Sequence, residues 1–362
     1  MHLPMGDGCA ASGGENPTAP MHPDRRGWGA FGAYSLSGEL PREQGLRRLE
    51  SEIAECLRRP ATSEAGVAEF HALRARWEGE ARELYGSLEP WETVFIARHP
   101  ARPLVTDYVE LLVQDFCELH GDRLYGDDRA IITGFGTIGR HPVMLIGQNR
   151  GRSLQERMAC HFGCAHPEGY RKALAKMQLA AKFRLPIVSL IDTPGAYPGM
   201  EAEERGIARA IAANLVAMPN LAVPIVAVVI GEGGSGGALG IAVSDRMAML
   251  EHSVFSVISP EGCAAILWKT SARAKEAASA LRMRSRDLAD LGLVDEVIPE
   301  PVGGAHRNRA ETAASIEDFI VRSLDQLTKL PRKTLVAQRH ERLRKMGASY
   351  ERVCEEREAG QV

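Results

Sequence analysis

Glycine is concentrated in one short segment of the chain, residues 231–240, where six of the ten residues are glycine. The segment follows an apolar run and precedes a stretch of helical pattern, which we predict to be a helix over 238–249. Glycine has no Cβ atom and lets the backbone approach a ligand closely, and a helix start offers free N–H groups with a partial positive charge. This combination predicts a site for an anion, or for an oxygen that becomes negative during a reaction.

Two nucleotide-binding motifs can be compared with this segment. Gly231, Gly233 and Gly236 match the G-x-G-x-x-G pattern of dinucleotide sites, but no acidic residue ends a following strand about 20 residues further on. A P-loop requires Lys and then Ser or Thr where Gly237 and Ala238 stand. The sequence therefore excludes a P-loop and gives only weak support to a dinucleotide site.

The same segment contains the G-x-S-x-G pattern of serine hydrolases, centred on Ser235. Such an enzyme needs an acid and then a histidine downstream, and Asp295 and His306 occur in that order. The structural alternative for Ser235 is a cap at the helix N-terminus. Another enzymatic alternative, a hydratase or isomerase, needs a carboxylate as general acid or base, for which Glu232 and Glu261 are the candidates.

A second loop of interest, Asp192-Thr-Pro-Gly-Ala-Tyr-Pro-Gly199, follows another apolar run. Its two prolines and two glycines fix an irregular path, and Asp192 stands where it can cap or bind. We predict that this loop forms a wall of a ligand pocket.

Two further groups of residues receive structural interpretations. A cluster of two cysteines and two histidines has the residue types of a zinc site, but no second pair completes a known spacing, so we predict a structural role for it. The members of the cluster are Cys160, His161, Cys164 and His166. A group of basic residues is predicted to form a solvated helix face; it consists of Arg171, Lys172, Lys176 and Lys182.

The elements that must position these loops follow a repeated layout. Three segments, 142–147, 186–191 and 224–230, each begin with proline and continue as an apolar run rich in Val and Ile. Such runs are typical of strands buried on both faces, and proline is tolerated at the first position of a strand. Amphipathic helices are predicted between them, at 168–183 and 201–218, which implies parallel strands joined by right-handed crossovers. The predicted fold class is α/β.

Composition limits the class of protein. The 362 residues include 44 Lys and Arg against 47 Asp and Glu, a formal net charge of −3 that excludes a generally basic nucleic-acid binder. No run approaches the roughly 18 apolar residues that a membrane-spanning helix needs. Seven scattered cysteines, an odd number, argue against a secreted disulfide scaffold. We therefore expect a reduced, cytoplasmic enzyme.

The N-terminal part of the chain differs from the rest. Residues 1–45 are rich in Gly, Pro and Ala without an apolar period, and we predict a disordered arm. Residues 46–98 are predicted to be helical, with a helical hairpin over 46–88 interrupted at 60–66.

At the residues just described, the sequence resembles the α subunit of the bacterial acetyl-CoA carboxylase carboxyltransferase. The similarity covers roughly residues 46–345, in order and with regular spacing, which is far more specific than one glycine motif. The strings that carry it include Ala97-Arg-His-Pro100, Gly121-Asp-Arg123, Pro167-Glu-Gly-Tyr-Arg-Lys-Ala173, Ile191-Asp-Thr-Pro-Gly-Ala-Tyr-Pro-Gly199, Ala202-Glu-Glu-Arg-Gly206, Ile230-Gly-Glu-Gly-Gly-Ser-Gly-Gly-Ala-Leu239, Ser256-Val-Ile-Ser-Pro-Glu-Gly-Cys263 and Ile266-Leu-Trp-Lys269.

The resemblance implies a fold and an assembly. The fold would be a crotonase-like α/β spiral of ββα units over 99–345, followed by a C-terminal tail at 346–362. The assembly would be an α₂β₂ heterotetramer with a separate β subunit that carries a zinc ribbon, alongside biotin carboxylase and a biotin carboxyl carrier protein. This chain lacks the paired C-x-x-C motifs of that ribbon, so the resemblance implies zinc on the partner and no metal on this chain.

The resemblance also implies a reaction, the transfer of CO₂ from carboxybiotin to acetyl-CoA to give malonyl-CoA for fatty acid synthesis. Such chemistry needs backbone donors for two oxyanions. Carried over, Gly236 and Gly237 hold the biotin oxygen while the β subunit serves the thioester oxygen. His306 and Arg307 would line or brace the site. The residues expected to bind the cofactor are Gly195, Ala196, Tyr197, Gly233 and Gly234.

The sequence departs from the family pattern in places. The Lys- and Arg-rich run expected over 147–162 is replaced, Glu201 stands where the family tends to have Gly, and Ile207 where it has Gln. Two alternatives therefore stay open: a paralog that carboxylates another acyl-CoA, and a non-catalytic regulator that binds the β subunit.

Overall fold

The computed structural model describes residues 40–58 and 64–346. The predicted arm at 1–45 and tail at 346–362 therefore lie almost entirely outside the described residues. The helices are α1 (Gln44–Arg58), α2 (Glu64–Gly86), α3 (Pro90–Ala97), α4 (Val105–Leu112), α5 (Leu154–Ala159), α6 (Pro167–Phe183), α7 (Met200–Glu204), α8 (Ile207–Ala217), α9 (Ser235–Ala242), α10 (Pro260–Trp268), α11 (Ala274–Leu281), α12 (Ser285–Asp290), α13 (Arg309–Leu327) and α14 (Arg332–Lys345). The strands are β1 (Gln114–Glu118), β2 (Ile131–Ile138), β3 (His141–Gln148), β4 (Ile187–Thr193), β5 (Ile225–Gly234), β6 (Arg246–Leu250), β7 (Val254–Ser256) and β8 (Glu296–Ile298).

The eight strands form one sheet, in which seven follow the order β1-β2-β3-β4-β5-β6-β8 and β7 pairs with β5. Strands β1 to β3 pair antiparallel, whereas β3, β4, β5, β6 and β8 run parallel. The three predicted strands are thus confirmed as β3, β4 and β5, adjacent and parallel. Strand β5 is longer than its neighbours, and its last residues pair with β7 instead of β6.

Helices cover both faces of this sheet, as the continuous apolar strands predict. Along β3, Met144 and Ile146 join one buried apolar cluster while Val143 and Leu145 join the other. The first cluster takes residues of α6, α8 and α9, and the second takes residues of α4 and α13. None of the helices within the described ranges is both long and apolar enough to cross a membrane.

Two helix predictions near the glycine-rich segment are corrected. The helix predicted over 238–249 ends at Ala242, and the residues that follow form β6, because Met247, Ala248 and Met249 are buried beside β5. The helix predicted over 201–218 is divided into α7 and α8. Gly206 lies between them with φ of +77°, a left-handed conformation that interrupts a right-handed helix.

The predicted N-terminal helical hairpin is confirmed by α1 and α2. Leu46 on α1 packs with Ala81 and Tyr85 on α2, and the same small cluster includes Ile96 on α3. The hydroxyl of Tyr85 also donates to the buried carboxylate of Glu43. The predicted boundary between this helical region, residues 46–98, and the domain at 99–345 stays a prediction.

Helix α14 is attached to the sheet through one buried arginine. The Arg339 side chain has no exposed surface, and its guanidinium donates to the Asp245 carboxylate at 2.6 and 2.8 Å. The same carboxylate accepts the N–H of Ile225 at the start of β5, at 2.7 Å. The guanidinium also donates to four backbone carbonyl oxygens, those of Met218, Pro219, Leu221 and Val223.

Replacing this arginine should destabilise the fold strongly. In Arg339→Met the buried Asp245 carboxylate and four carbonyls lose their donor, and leaving a buried charge unpaired costs about 3–5 kcal/mol. Urea denaturation would measure the free energy of unfolding. The matched control is Arg344→Met on the same helix, whose side chain is 76% exposed and should change stability by less than about 0.5 kcal/mol. Equal stabilities for the two variants would contradict this account.

Candidate active site

The glycine-rich segment occupies the carboxyl end of β5 and the start of α9. Gly233 pairs with Thr193 of β4 on one side and with Phe255 of β7 on the other. A Cβ atom on Gly233 would lie 2.1 Å from the Phe255 ring, so only glycine fits there. Helix α9 begins at Ser235, which has φ of +51°, and the residue before the helix is Gly234. The predicted cap role of the Ser235 hydroxyl is therefore wrong.

The segment packs directly on the loop that follows β4. A Cβ atom on Gly234 would lie 2.2 Å from the carbonyl oxygen of Pro194, and one on Gly237 would lie 2.4 Å from the N of Ala196 and 2.5 Å from the carbonyl carbon of Gly195. Contacts this short never occur, so the two backbones meet only because both positions are glycine. The structure thus brings together four of the seven predicted site residues.

The other three predicted residues lie around this contact. Gly236 follows Ser235 in the first turn of α9, and a Cβ atom there would meet only Ile211, at 3.9 Å. Gly233 lies in the last residues of β5, as described above. The Tyr197 ring stacks on that of His166, with centroids 4.0 Å apart.

The first turn of α9 is held by two buried side chains that the site prediction missed. The carbonyl oxygen of Gly237 accepts the side-chain amide of Gln148 at 2.8 Å and the hydroxyl of Tyr170 at 3.1 Å. The Gln148 amide oxygen in turn accepts the N–H of Asp192, at 3.2 Å. Gln148 therefore joins the ends of β3 and β4 to the helix start. The only signal for it in the sequence is a polar residue at the end of an apolar strand.

A buried network of charges lies beneath the two loops. Arg98 donates to Glu232 at 2.6 Å and to Glu261 at 2.6 Å. Arg150 contacts Asp192 and Glu232, each at 3.3 Å, and Asp192 also accepts the N–H of Glu232 at 3.0 Å. The network therefore links the loop after β4, the end of β5 and the helical region that contains Arg98.

The network determines the protonation of its carboxyl groups. Burial by itself would raise the pKa of Glu232, but Arg98 and Arg150 bring that pKa below its usual value, so Glu232 is ionised at neutral pH. Burial raises the pKa of Asp192 although Arg150 opposes the rise. Because Glu232 and Glu261 are both ion-paired with Arg98, neither is available as the free acid or base that a hydratase requires.

The hydrolase triad suggested by the sequence does not assemble. Asp295 accepts the N–H of Met247 and pairs with Arg342. His306 stacks on His99 with ring centroids 3.8 Å apart. The acid and the histidine therefore have partners other than Ser235 and each other.

The neighbouring residue, Arg307, braces the N-terminal helices. It pairs with Glu50 of α1 at 2.8 Å and lies over the ring of Trp77 of α2, 5.7 Å from its centroid. Arg307 thus supports the helical hairpin, whereas His306 packs on His99. That the two residues line or brace the site stays a prediction.

Of the four basic residues of α6, Lys182 is exposed as predicted. Arg171, Lys172 and Lys176 instead pair with groups of the protein, which corrects the prediction of a solvated face for these three. Lys172 is 1% exposed and donates to Asp127 at 2.5 Å and to the carbonyl of Asp128 at 2.7 Å. Arg171 pairs with Asp122 at 2.7 Å, and Lys176 donates to the carbonyl of Gly121 at 3.1 Å. These cations hold the loop before β2 against α6.

The cysteines and the histidines of the predicted cluster differ in what surrounds their side chains. Burial raises the pKa of the Cys160 thiol to about 11 and that of Cys164 to about 12, as expected of structural thiols. The rings of His161 and His166, by contrast, pack against each other, with their centroids 4.1 Å apart.

Comparisons with known proteins agree with this architecture. A family model described as "acetyl co-enzyme A carboxylase carboxyltransferase-like" matches residues 39–347. The "acetyl-coenzyme A carboxylase carboxyl transferase subunit alpha" of Rhodopirellula baltica is 50% identical over 309 residues, which cover 85% of this chain and 97% of that protein. The protein of the same name from Aquifex aeolicus is 50% identical over 282 residues, covering 78% of this chain and 87% of the relative.

A solved structure supports the fold. A chain of the Pseudomonas malonate decarboxylase hetero-tetramer in complex with coenzyme A superposes with a TM-score of 0.51 at 16% identity, covering 64% of this chain and 93% of that chain. At this identity the likeness concerns the fold alone. The predicted crotonase-like α/β class is confirmed.

The bridge made by Gln148 gives a prediction for stability. In Gln148→Met the Gly237 carbonyl keeps only Tyr170, and the buried N–H of Asp192 loses its acceptor. Leaving such groups unpaired costs about 1–3 kcal/mol. Tyr170→Phe is the comparison, because Gln148 still serves the same carbonyl and the loss should be smaller, about 1 kcal/mol. Urea denaturation measures both, and a greater loss in Tyr170→Phe would contradict the assigned role of Gln148.

The stacked histidines predict sensitivity to acid. Burial, together with the nearby His99, lowers the pKa of His306 to about 3. As the pH falls from about 6.5 towards 3, the unfolded chain binds a proton that the folded chain resists, so stability decreases over that window. His306→Asn should reduce the slope of stability against pH by up to about 1.4 kcal/mol per pH unit. Denaturation at several pH values measures the slope, and His71→Asn, at an exposed position, should leave it unchanged.

Proposed function

The chain belongs to the family of acetyl-CoA carboxylase carboxyltransferase α subunits, and from that premise we propose how its residues take part in carboxyl transfer. Its function is that of the α subunit, and its enzyme class is that of a biotin-dependent transferase. We propose that the donor is carboxybiotin on a separate carrier protein, the acceptor acetyl-CoA and the product malonyl-CoA. Neither a different acyl-CoA nor a non-catalytic role finds support in the relatives' names.

The observation that carries the residue assignment is the contact between the start of α9 and the loop after β4. It lies at the carboxyl ends of adjacent parallel strands, where α/β proteins bind ligands. The N–H groups in the first turn of a helix have no acceptor within the helix, and the helix dipole makes that end partly positive. The proposed role of Gly236 and Gly237 is to donate to the ring carbonyl oxygen of biotin as it gains negative charge.

The backbone around these donors fits the approach of a flat ring. Gly195 has φ of +151° and nothing within 4 Å of the position that a Cβ atom would take. Gly236 is similarly open, whereas Gly234 and Gly237 are closed against the neighbouring loop. The site thus combines open and closed glycines. The open ones leave room for a ligand, and the closed ones hold the donors in place.

The side chains beneath the site are proposed to position it, with no residue of this chain acting as a nucleophile. Carboxybiotin, when bound, supplies the CO₂. Arg98 and Arg150 hold Glu232 and Asp192, and Gln148 holds the Gly237 carbonyl. Because these groups are already paired with one another, the donors need no rearrangement when charge develops on the ligand oxygen.

The name of the family implies further subunits. We propose a β subunit with a zinc ribbon as partner, forming an α₂β₂ heterotetramer in which the β subunit serves the thioester oxygen. Biotin carboxylase and the biotin carboxyl carrier protein would act as separate components. The malonate decarboxylase that shares the fold is itself a hetero-tetramer.

Reconstitution with the β subunit tests the function. The mixed subunits should decarboxylate malonyl-CoA in the presence of a biotin analogue, and neither subunit alone should do so. Gly237→Ala should lower the rate by about 10²-fold or more, because its Cβ atom would lie 2.4 Å from the N of Ala196 and force the two loops apart.

The matched control is Gly79→Ala on α2, where a Cβ atom meets nothing within 4 Å and the rate should be unchanged. Size-exclusion chromatography would confirm that both variants still form the complex. Turnover by this chain alone, or full activity of Gly237→Ala in an intact complex, would contradict the proposal.

A further inference from the structure

Two histidines and an aspartate meet beside the candidate active site. Asp128 precedes β2, His161 lies in the turn after α5, and His166 immediately precedes α6. One ligand atom from each lies within 4.8 Å of the other two. In the described ranges, 40–58 and 64–346, this is the group of such side chains whose geometry suits a metal ion.

The donor set has a defined chemical preference. Imidazole nitrogen and carboxylate oxygen are ligands for zinc and for other divalent first-row metals. Atoms bound to one zinc ion at about 2.0–2.2 Å lie at most about 4 Å apart. The separation of 4.8 Å or less therefore needs only a small side-chain rotation to hold an ion.

An independent observation at His166 points to a ligand. This residue is 4% exposed, and its Nδ1 is buried without a hydrogen-bond partner. Buried polar nitrogens almost always have a partner, so the unpartnered Nδ1 of a residue in this cluster needs an explanation, which a bound ion would supply.

Asp128 retains the capacity to bind an ion. Asp128 is 3% exposed. Its carboxylate accepts two backbone N–H groups, from Ala130 at 2.9 Å and from His166 at 2.7 Å. A carboxylate has about four lone-pair positions, so two remain for a metal.

The surrounding charges favour a cation. Arg205, whose charge acts on both histidine rings, is paired with Glu168 at 3.1 Å. Lys172 is paired with Asp127 at 2.5 Å. Because Arg205 and Lys172 are each neutralised by a paired carboxylate, the Asp128 carboxylate gives the pocket a net negative charge.

We propose that Asp128, His161 and His166 bind one divalent transition-metal ion, best satisfied by zinc, with the remaining coordination position filled by water. The site would be additional to the zinc of the partner subunit. It would also act on the active-site loop, because the His166 ring stacks on Tyr197 at 4.0 Å and the N–H of Tyr197 donates to the carbonyl of Ala165 at 3.0 Å. An ion that fixes His166 would thereby restrain the loop that packs on the glycine-rich segment.

A metal titration of the full-length chain tests this site without any measurement of carboxyl transfer. The chain is stripped with a chelator and titrated with Zn²⁺ against a chromophoric competitor, and separately with Co²⁺, whose visible absorption reports bound geometry. We expect one equivalent of each metal at this site. His161→Asn should weaken binding by about 100-fold or more, since a coordinating ligand is lost, whereas His71→Asn should bind as the parent does.

His161→Asn is the preferred variant because His161 is only partly buried. The Asp128 side chain also accepts two backbone N–H groups, and His166 is 4% exposed, so substitutions there would disturb the fold more. Circular dichroism would confirm that it folds. Absence of Zn²⁺ and Co²⁺ binding to the parent at about 100 μM metal, or binding unchanged in His161→Asn, would overturn the proposal. Hydrogen exchange of residues 194–199 should slow on addition of Zn²⁺ in the parent and stay unchanged in His161→Asn; equal exchange in both would overturn the effect on the loop.

Discussion

The contact between two backbones at the ends of β4 and β5 is the constraint on which the candidate site depends. Residues 194–196 and 234–237 lie closer together than any Cβ atom would permit. Parallel pairing of the two strands brings the loops to the same edge of the sheet, and the glycines let them touch. Everything else near the site serves this contact: Gln148 and Tyr170 hold the helix start, and the buried charges hold the loops from below.

The buried charges also join parts of the chain that are far apart in sequence. Arg98 belongs to the N-terminal helical region, yet it pairs with Glu232 and Glu261. Four residues later, Arg102 is 3% exposed and pairs with the fully buried Glu300 at 2.5 Å. Since breaking a buried pair leaves an uncompensated charge, these contacts make the helical region part of the same cooperative structure as the sheet. Such pairs contribute specificity of arrangement more than net stability.

The sequence predicted the parallel core and its loops, because continuous apolar strands and glycine-rich turns are local patterns. It did not predict that residues 246–250 form a strand, because that outcome depends on burial against β5 and not on local pattern. The prediction of a solvated basic face on α6 failed for a similar reason: the carboxylates that pair with Arg171 and Lys172 come from a loop about 45 residues earlier. Gln148 is the clearest omission, since one polar residue at a strand end gives no indication of which carbonyl it will meet.

The attachment of α14 has a consequence for the order in which the chain can fold during synthesis. Asp245 sits at the start of β6 and is 6% exposed, and its charge is balanced by Arg339, 94 residues later. A nascent chain that ends before this arginine has already made all eight strands, but it carries an unbalanced carboxylate beside the central strand. The sheet therefore reaches its final state only after residue 339 has been synthesised and its guanidinium can reach Asp245.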